Sequence, residues 1–278
     1  MLLFVDELTN VDFSYLHPNR GLLGETWLAS TELDGALDEQ GMVCDFGIVK
    51  KTLRNWLDEI LDHCLLVPRH SPNLSLLEEG EYISLRWRFG DKELSCRSPA
   101  QAITLIDAEE INASSVAKWS IEQLRSLLPD TIERLSLEFE PEQLGDNAFY
   151  HYSHGLKKHA GNCQRIAHGH RSRIQIWRDG ERDKALETQW SERWRDIYLG
   201  SDFDVSERSD TQLSFAYQSA QGNFDISLPA ACCELLPTDT TVEWIACYIA
   251  EQLKKAAPNS QFKVRAFEGI GKGAVYQI

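Results

Sequence analysis

The sequence predicts an α+β protein made of two tandem copies of one unit. Each unit is predicted to be an antiparallel four-stranded sheet with two helices on one face and an extra hairpin. Two helical segments, 117–129 and 246–258, share Ala, Glu-Gln-Leu and Pro at one constant offset. Two alternating segments upstream of them, 83–99 and 213–229, each turn at a Gly-containing pair. Self-similarity over this distance predicts duplication of a whole domain rather than a solenoid repeat.

The elements of the first half follow from its periodicity. Two strands are predicted, at about 2–15 and 25–33. Asp45 then caps a helix with one apolar face, which carries Val49, Leu53, Trp56, Leu57, Ile60 and Leu61. A second helix is predicted to begin at Asn112 or Ser114 and to stop at Pro129, because proline cannot continue a helix.

The second half repeats this order of elements. Residues 149–154 alternate in polarity and predict a strand. The first helix is marked by Leu186, Trp190, Trp194 and Ile197, and the second by Val242, Ile245, Ile249 and Leu253. The boundary between the copies falls in a polar stretch around Gly145. We therefore predict domains of 1–145 and 146–278.

Composition and charge narrow the class of protein. The chain has 278 residues, 42% hydrophobic and 26% charged, which is typical of a globular protein with a sizeable core. Its formal net charge of −15 would repel a phosphate backbone, so we expect no nucleic-acid partner. The sequence has no basic leader and no apolar run that approaches the length of ~18 residues required for a membrane span. We therefore expect a cytoplasmic chain. The seven scattered cysteines predict reduced thiols rather than a disulfide framework.

His168-Gly169-His170 is the strongest chemical signal in the chain. Histidines two apart on a strand point to the same side. His154, at the end of the preceding predicted strand, could supply a third nitrogen, and three histidines leave one position open on a tetrahedral zinc. The alternative is a polar strand pair whose histidines are satisfied by backbone or solvent. An anionic small molecule is compatible with nearby basic residues, which are Lys157, Lys158, Arg165, Arg171 and Arg173. The alternative for these charges is a solvated face.

Together with two segments of the first half, this histidine motif resembles the sequence pattern of the 6-pyruvoyl/6-carboxytetrahydropterin synthase family, whose members have the tunnelling fold. The second half carries the metal motif, with Cys163 shortly before His168. The first half carries Gly41-Met42-Val43-Cys44-Asp45-Phe46 and Leu61-Asp62-His63-Cys64-Leu65-Leu66. However, Tyr15 and Leu23-Gly24-Glu25 stand where the family has histidines. We therefore expect no zinc in the first half.

The resemblance implies roles for particular residues. His154, His168 and His170 would bind zinc, and Cys163 would be the general base. His63, oriented by Asp62, would be a second acid–base group. Glu268 would accept hydrogen bonds from the pterin, and Thr238 and Glu243, near the start of the last helix, would also bind substrate. Because these parts are divided between the copies, the resemblance implies a composite site. Decay of both copies is the alternative.

The implied function is a zinc-dependent lyase that acts on 7,8-dihydroneopterin triphosphate and forms a 6-carboxy product. The alternatives are a 6-pyruvoyl synthase, a zinc-containing pterin binder without turnover, and a structural protein. The resemblance also implies a homo-oligomer in which sheets join edge to edge, so that two chains would supply four units of a ring. Whether the composite site forms within one chain or between chains stays open at this point.

Overall fold

The computed structural model describes residues 1–278 and contains four α-helices. The first half consists of β1 (Leu2–His17), β2 (Gly21–Gly35), α1 (Phe46–Ile60), β3 (Leu65–Pro68), β4 (Leu74–Glu79), β5 (Tyr82–Phe89), β6 (Lys92–Pro99), β7 (Ile103–Ile106), α2 (Ala113–Leu124) and β8 (Ile132–Pro141). The second half consists of β9 (Phe149–His154), β10 (His168–Arg178), β11 (Glu181–Arg182), α3 (Lys184–Arg193), β12 (Ile197–Ser201), β13 (Val205–Arg208), β14 (Gln212–Ser219), β15 (Gly222–Pro229), β16 (Cys233–Leu236), α4 (Val242–Ala256), β17 (Phe262–Phe267) and β18 (Gly273–Gln277). None of the four helices is both long and apolar enough to cross a membrane.

The main sheet of each half is mixed, so the prediction of four antiparallel strands is wrong. The order is β7-β3-β1-β2-β8 in the first half and β16-β12-β9-β10-β17-β18, with β11 beside β10, in the second. β3 pairs in parallel with β1, and β12 pairs in parallel with β9. A helix precedes each of these short strands, and a crossover of this kind is what a parallel pair requires.

The helices follow their predicted caps and stripes closely. The Asp45 carboxylate accepts a hydrogen bond from the Ile48 backbone N–H at 3.1 Å and so caps α1. Asn112, not Ser114, caps α2, in a reciprocal pair with Ser115. The assignment of Ile197 to α3 is wrong, because α3 ends at Arg193 and Ile197 begins β12. The chain reverses between them at Asp196, which has a left-handed φ of 57°.

The two extra hairpins join the halves into one body. β5–β6 and β14–β15 form at the predicted positions. β6 then pairs with β15, and the two hairpins, with β4 and β13, make one six-stranded sheet. A core of 21 buried residues, including Trp87 and Phe215, lies against this sheet and draws on both halves. The extra hairpins therefore form an interface between the two halves of the chain.

The main sheets of the two halves meet face to face where β1 and β2 cross β9 and β10. A Cβ added to Gly24 would lie 1.9 Å from the Tyr152 carbonyl oxygen, and one added to Gly169 would lie 2.7 Å from the Gly24 Cα. The hydroxyls of Ser14 and Ser153 are 2.7 Å apart at this crossing. Ser14 and Ser153 occupy equivalent positions in the two copies, as do Gly24 and Gly169. The halves are thus related locally by a pseudo-twofold axis. Within the chain the main sheets do not join edge to edge, and a homo-oligomer stays a prediction.

The crossing predicts a large effect of a small substitution. We expect Gly24→Ala to lower the free energy of unfolding by about 3 kcal/mol, because the methyl group would force two backbones apart. Gly47→Ala in α1 is the matched control. Its Cβ would meet nothing closer than Asp45 Oδ1 at 3.4 Å, and alanine favours a helix over glycine. Chemical denaturation measures both. A Gly24→Ala chain as stable as wild type would contradict the crossing.

Candidate metal centre and composite site

Three buried histidines converge where β9 and β10 begin to pair. His154 and His168 lie directly opposite each other in the ladder, and His170 is two residues further along β10. All three side chains are fully buried. The Nε2 atoms of His154 and His170 are 3.3 Å apart, and one nitrogen from each ring lies within 4.8 Å of the others.

The outward nitrogens of these rings face acceptors. His154 Nδ1 lies 3.0 Å from the Thr240 carbonyl oxygen, and His168 Nδ1 lies 2.8 Å from the Arg165 carbonyl oxygen. A carbonyl can only accept, so each Nδ1 carries the proton and each Nε2 is left as a lone pair. His168 Nε2 is buried with no hydrogen-bond partner. Burial also lowers the pKa of His154 and His168 well below the usual value, which keeps both rings neutral. Two neutral imidazoles with inward lone pairs, beside the inward Nε2 of His170, fit zinc.

His63 of the first half lies beside this cluster. It directly follows the end of α1 with a left-handed φ of 55°. Its ring centroid is 4.9 Å from that of His168. Asp62 Oδ2 lies 2.5 Å from His63 Nδ1. Burial acts to lower the pKa of His63, but hydrogen bonds with Asp62 and Cys163 outweigh it and raise the pKa to about 10.

Cys163 completes the contact between the halves. It is partly buried. Its sulfur and one ring nitrogen each from His63 and His168 lie within 4.8 Å of one another. The structure therefore brings the Asp62–His63 pair of one half against Cys163 and His168 of the other, within a single chain.

Glu268 reaches the histidine cluster next to His170, whereas His63 and Cys163 reach it next to His168. It directly follows β17, and its Oε1 atom is 3.8 Å from His170 Nε2. The side chain is about a quarter exposed. A carboxylate in this place can accept hydrogen bonds from a planar N–H donor that lies next to the histidines.

The other two predicted substrate residues make no hydrogen bond to the cluster. Glu243 is exposed in the first turn of α4, and Thr238 is half-buried in the segment before it. The threonine that contacts the site is Thr240, through its carbonyl and its hydroxyl. Sequence reasoning missed Thr240, since a run of polar residues before a helix does not show which one points inward.

Asp12 was also missed. It lies in β1, is fully buried, and places Oδ1 3.2 Å from His170 Nδ1. Burial acts to raise the pKa of Asp12, but the charges of His170 and Lys272 hold it below the usual range. An aspartate in a strand of the half that lacks the histidine motif carries no sequence signal of this role.

One member of the predicted basic cluster lines a cavity. Arg165 is 5% exposed and borders a cavity of about 620 Å³ between the halves, together with Asn162, Gln221, Trp56 and Trp119. Its guanidinium donates to Cys64 Sγ at 2.8 Å and to Gln221 Oε1 at 3.1 Å, and it forms no ion pair. In contrast, Lys157, Lys158 and Arg173 form ion pairs with Asp204, Asp239 and Glu142. A buried cation without a carboxylate favours an anion in the cavity.

The equivalent place in the first half holds no histidine cluster. Glu25 is buried there, and burial raises its pKa to about 7. His151 Nδ1 lies 3.8 Å from Glu25 Oε2. Arg20 forms an ion pair with Asp196, which occupies the position of His63 in the other copy. Glu25, which stands where the second half has His170, thus lies among buried polar groups.

Comparisons with known proteins identify the family of the chain. A model of the 6-pyruvoyl tetrahydropterin synthase family matches the chain twice, over residues 10–150 and 143–278. The chain belongs to this family. The two consecutive matches also confirm the tandem duplication.

Individual relatives are more distant. Over 53 residues the chain is 42% identical to the 6-carboxy-5,6,7,8-tetrahydropterin synthase of Rickettsia bellii, a match that spans 19% of this chain and 35% of that relative. The 6-pyruvoyltetrahydropterin synthase structures of Plasmodium vivax and Plasmodium falciparum are 17% and 16% identical. Each alignment covers 51% of this chain and 98% of theirs, with a TM-score of 0.39.

The asymmetry of the halves predicts a zinc stoichiometry of one per chain. We expect elemental analysis of protein purified without chelator to find about one equivalent, and His168→Ala to lose it, because three histidine ring nitrogens come together in the second half alone. Glu25→Gln, at the equivalent of His170, is the control and should keep the metal. Two equivalents in the wild-type chain would contradict this.

Proposed function

We propose that the chain is a zinc-dependent lyase that converts 7,8-dihydroneopterin triphosphate to a 6-carboxytetrahydropterin at a composite site. The observation that supports it most is the contact of His63 with Cys163 and His168 across the two halves. Membership of the family supports pterin metabolism, and the curated relative supports the 6-carboxy product. A 6-pyruvoyl product is the second candidate, and it is supported by the family's own name.

A zinc held by His154, His168 and His170 would act as a Lewis acid on the oxygens of the substrate side chain. Cys163 lies next to this position and would remove a proton from the side chain. The His63 ring lies against the Cys163 sulfur, where it can exchange a proton with that group. Asp62 holds His63 by its Nδ1, so the other ring nitrogen of His63 faces the cluster and can return a proton.

The ends of the substrate would lie on opposite sides of the cluster. Glu268 would accept hydrogen bonds from the pterin amino group and ring N–H, next to His170. Arg165 follows Cys163 by two residues and lines the cavity on the His63 side, where the triphosphate would extend. Its buried guanidinium would supply a planar fork for phosphate oxygens. This arrangement gives a distinct role to Arg165, the buried arginine that forms no ion pair with a carboxylate.

The acid–base pair of the first half provides the decisive test. We expect His63→Ala and Asp62→Asn to keep full zinc and a normal fold but to lose turnover, by ~100-fold or more for His63→Ala. Release of triphosphate and identification of the pterin product are the measurements. His159→Ala, an exposed histidine near Cys163, is the control and should keep full activity. Undiminished turnover in His63→Ala would support a decayed first half.

Mixing two inactive variants tests where the site forms. His63 contacts Cys163 of the same chain, so a mixture of His63→Ala and Cys163→Ala chains should stay inactive. Partial recovery of activity would show that the two groups meet between chains. A wild-type chain that binds zinc and the substrate but releases no triphosphate would instead favour the pterin binder without turnover.

Arg165 should determine the affinity for the phosphates. We expect Arg165→Gln to weaken inhibition by inorganic triphosphate about tenfold or more, since charge-assisted bonds to phosphate are lost. Arg165→Lys should lose less, and zinc content should not change. Lys158→Ala removes one exposed positive charge from the same region and is the matched control. An unchanged inhibition constant in Arg165→Gln would place the phosphates elsewhere.

A further inference from the structure

Asp12, a side chain of the first half, faces the candidate zinc ligand His170 directly. Its Oδ1 atom lies 3.2 Å from His170 Nδ1, and both side chains are buried to within 1%. His170 Nδ1 is buried and has no hydrogen bond of standard geometry, so Asp12 is its nearest acidic neighbour without being aligned as an acceptor. The proximity of the carboxylate to the ring nitrogen therefore defines this contact.

The Asp12 carboxylate is itself held on both oxygens. The Thr26 hydroxyl donates to Oδ1 at 2.6 Å, and Lys272 Nζ lies 3.3 Å from Oδ2. Asn10 Nδ2 donates weakly to the same Oδ2 at 3.5 Å. A buried carboxylate with this many donors is charged and has little freedom to turn.

The main chain of Asp12 binds the acid–base pair. Its N–H donates to Asp62 Oδ1 at 2.8 Å, and its carbonyl accepts from the His63 N–H at 2.5 Å. The second bond stabilises His63 in its left-handed conformation. One residue of β1 thus contacts both the histidine cluster through its side chain and the Asp62–His63 pair through its backbone.

We propose that Asp12 is a positioning residue that fixes the tautomer and the orientation of His170 from the other half of the chain. The proposal rests on the zinc site of the proposed function and adds a residue to it. His154 and His168 are oriented by neutral carbonyls, whereas His170 faces a carboxylate, which makes its Nε2 a more basic ligand. The first half would therefore contribute to metal affinity as well as to acid–base chemistry.

The pseudo-twofold axis provides an internal comparison. In the other copy, Glu25 occupies the position of His170, and His151 occupies the position of Asp12. His151 is also buried, donates to the Gly24 carbonyl at 2.7 Å and faces Glu25 at 3.8 Å. In each crossing the first half thus supplies a carboxylate and the second half an imidazole, but the equivalent positions that hold them are exchanged. His151 therefore matches Asp12 in burial and location without touching the three-histidine cluster.

The test compares zinc affinity in the full chain, measured by competition with a chromophoric chelator. We expect Asp12→Asn to weaken zinc binding 10- to 100-fold, as loss of a partner to a ligating histidine does. It should also shift the visible absorption of the cobalt(II)-substituted protein. His151→Gln should leave both readouts unchanged, whatever it costs in thermal stability. Thr26→Val, which removes one support of the carboxylate, should weaken binding a few-fold and is the variant to use if Asp12→Asn does not fold.

The outcomes separate this proposal from the proposed function. Equal zinc affinity in Asp12→Asn, or in Thr26→Val where that variant is used, would overturn the role of Asp12 and leave the proposed reaction standing. An equal loss in Asp12→Asn and His151→Gln would also overturn it, because the effect would then come from the crossing as a whole. A wild-type chain whose zinc affinity depends on Asp12 but which turns over no substrate would overturn the function and support the role of Asp12.

Discussion

The close crossing of β1 and β2 over β9 and β10 is the constraint on which the site depends. Gly24 and Gly169 lack a Cβ, so the backbones of the two halves come into contact, with Gly24 against the Tyr152 carbonyl and Gly169 against the Gly24 Cα. At this separation a side chain of β1 can reach a histidine of β10, as Asp12 does. A larger residue at either glycine would separate the acid–base pair of one half from the cysteine and histidines of the other.

Duplication allows the two crossings to differ. In an assembly of identical subunits, a twofold axis would place the same pair of side chains at both crossings. Here one crossing holds His170 and Asp12, and the other holds Glu25 and His151. The Arg20–Asp196 ion pair lies at the second, where the other copy has His63. Both crossings bury an imidazole beside a carboxylate, but one of them alone lies at a cluster of three histidines.

Much of the local structure could be predicted from the sequence. The Asp45 cap, the stripe of α4 and both hairpins follow from residue type and periodicity, which act within one element. β3 and β12 could not be predicted, because runs of four or five buried residues show no hydrophobic periodicity. The predicted end of α3, at Ile197, is too late for a similar reason, since Ile197 belongs to the buried run of β12. The family and its duplication were also predictable, because their motifs are continuous in the chain. Zinc and the residue roles remain predictions.

The sequence by itself determined which residues could perform the chemistry. The spacing of His168 and His170 places both on one face of a strand, and Asp62 and His63 are neighbours in the chain. Only the tertiary structure decided which of these groups meet. The contact of His63 with His168 joins residues about a hundred positions apart, and Asp12, Thr240 and the cavity beside Arg165 depend on how β-sheets cross and loops close. Such contacts arise from packing between elements, and no periodicity in the chain encodes them.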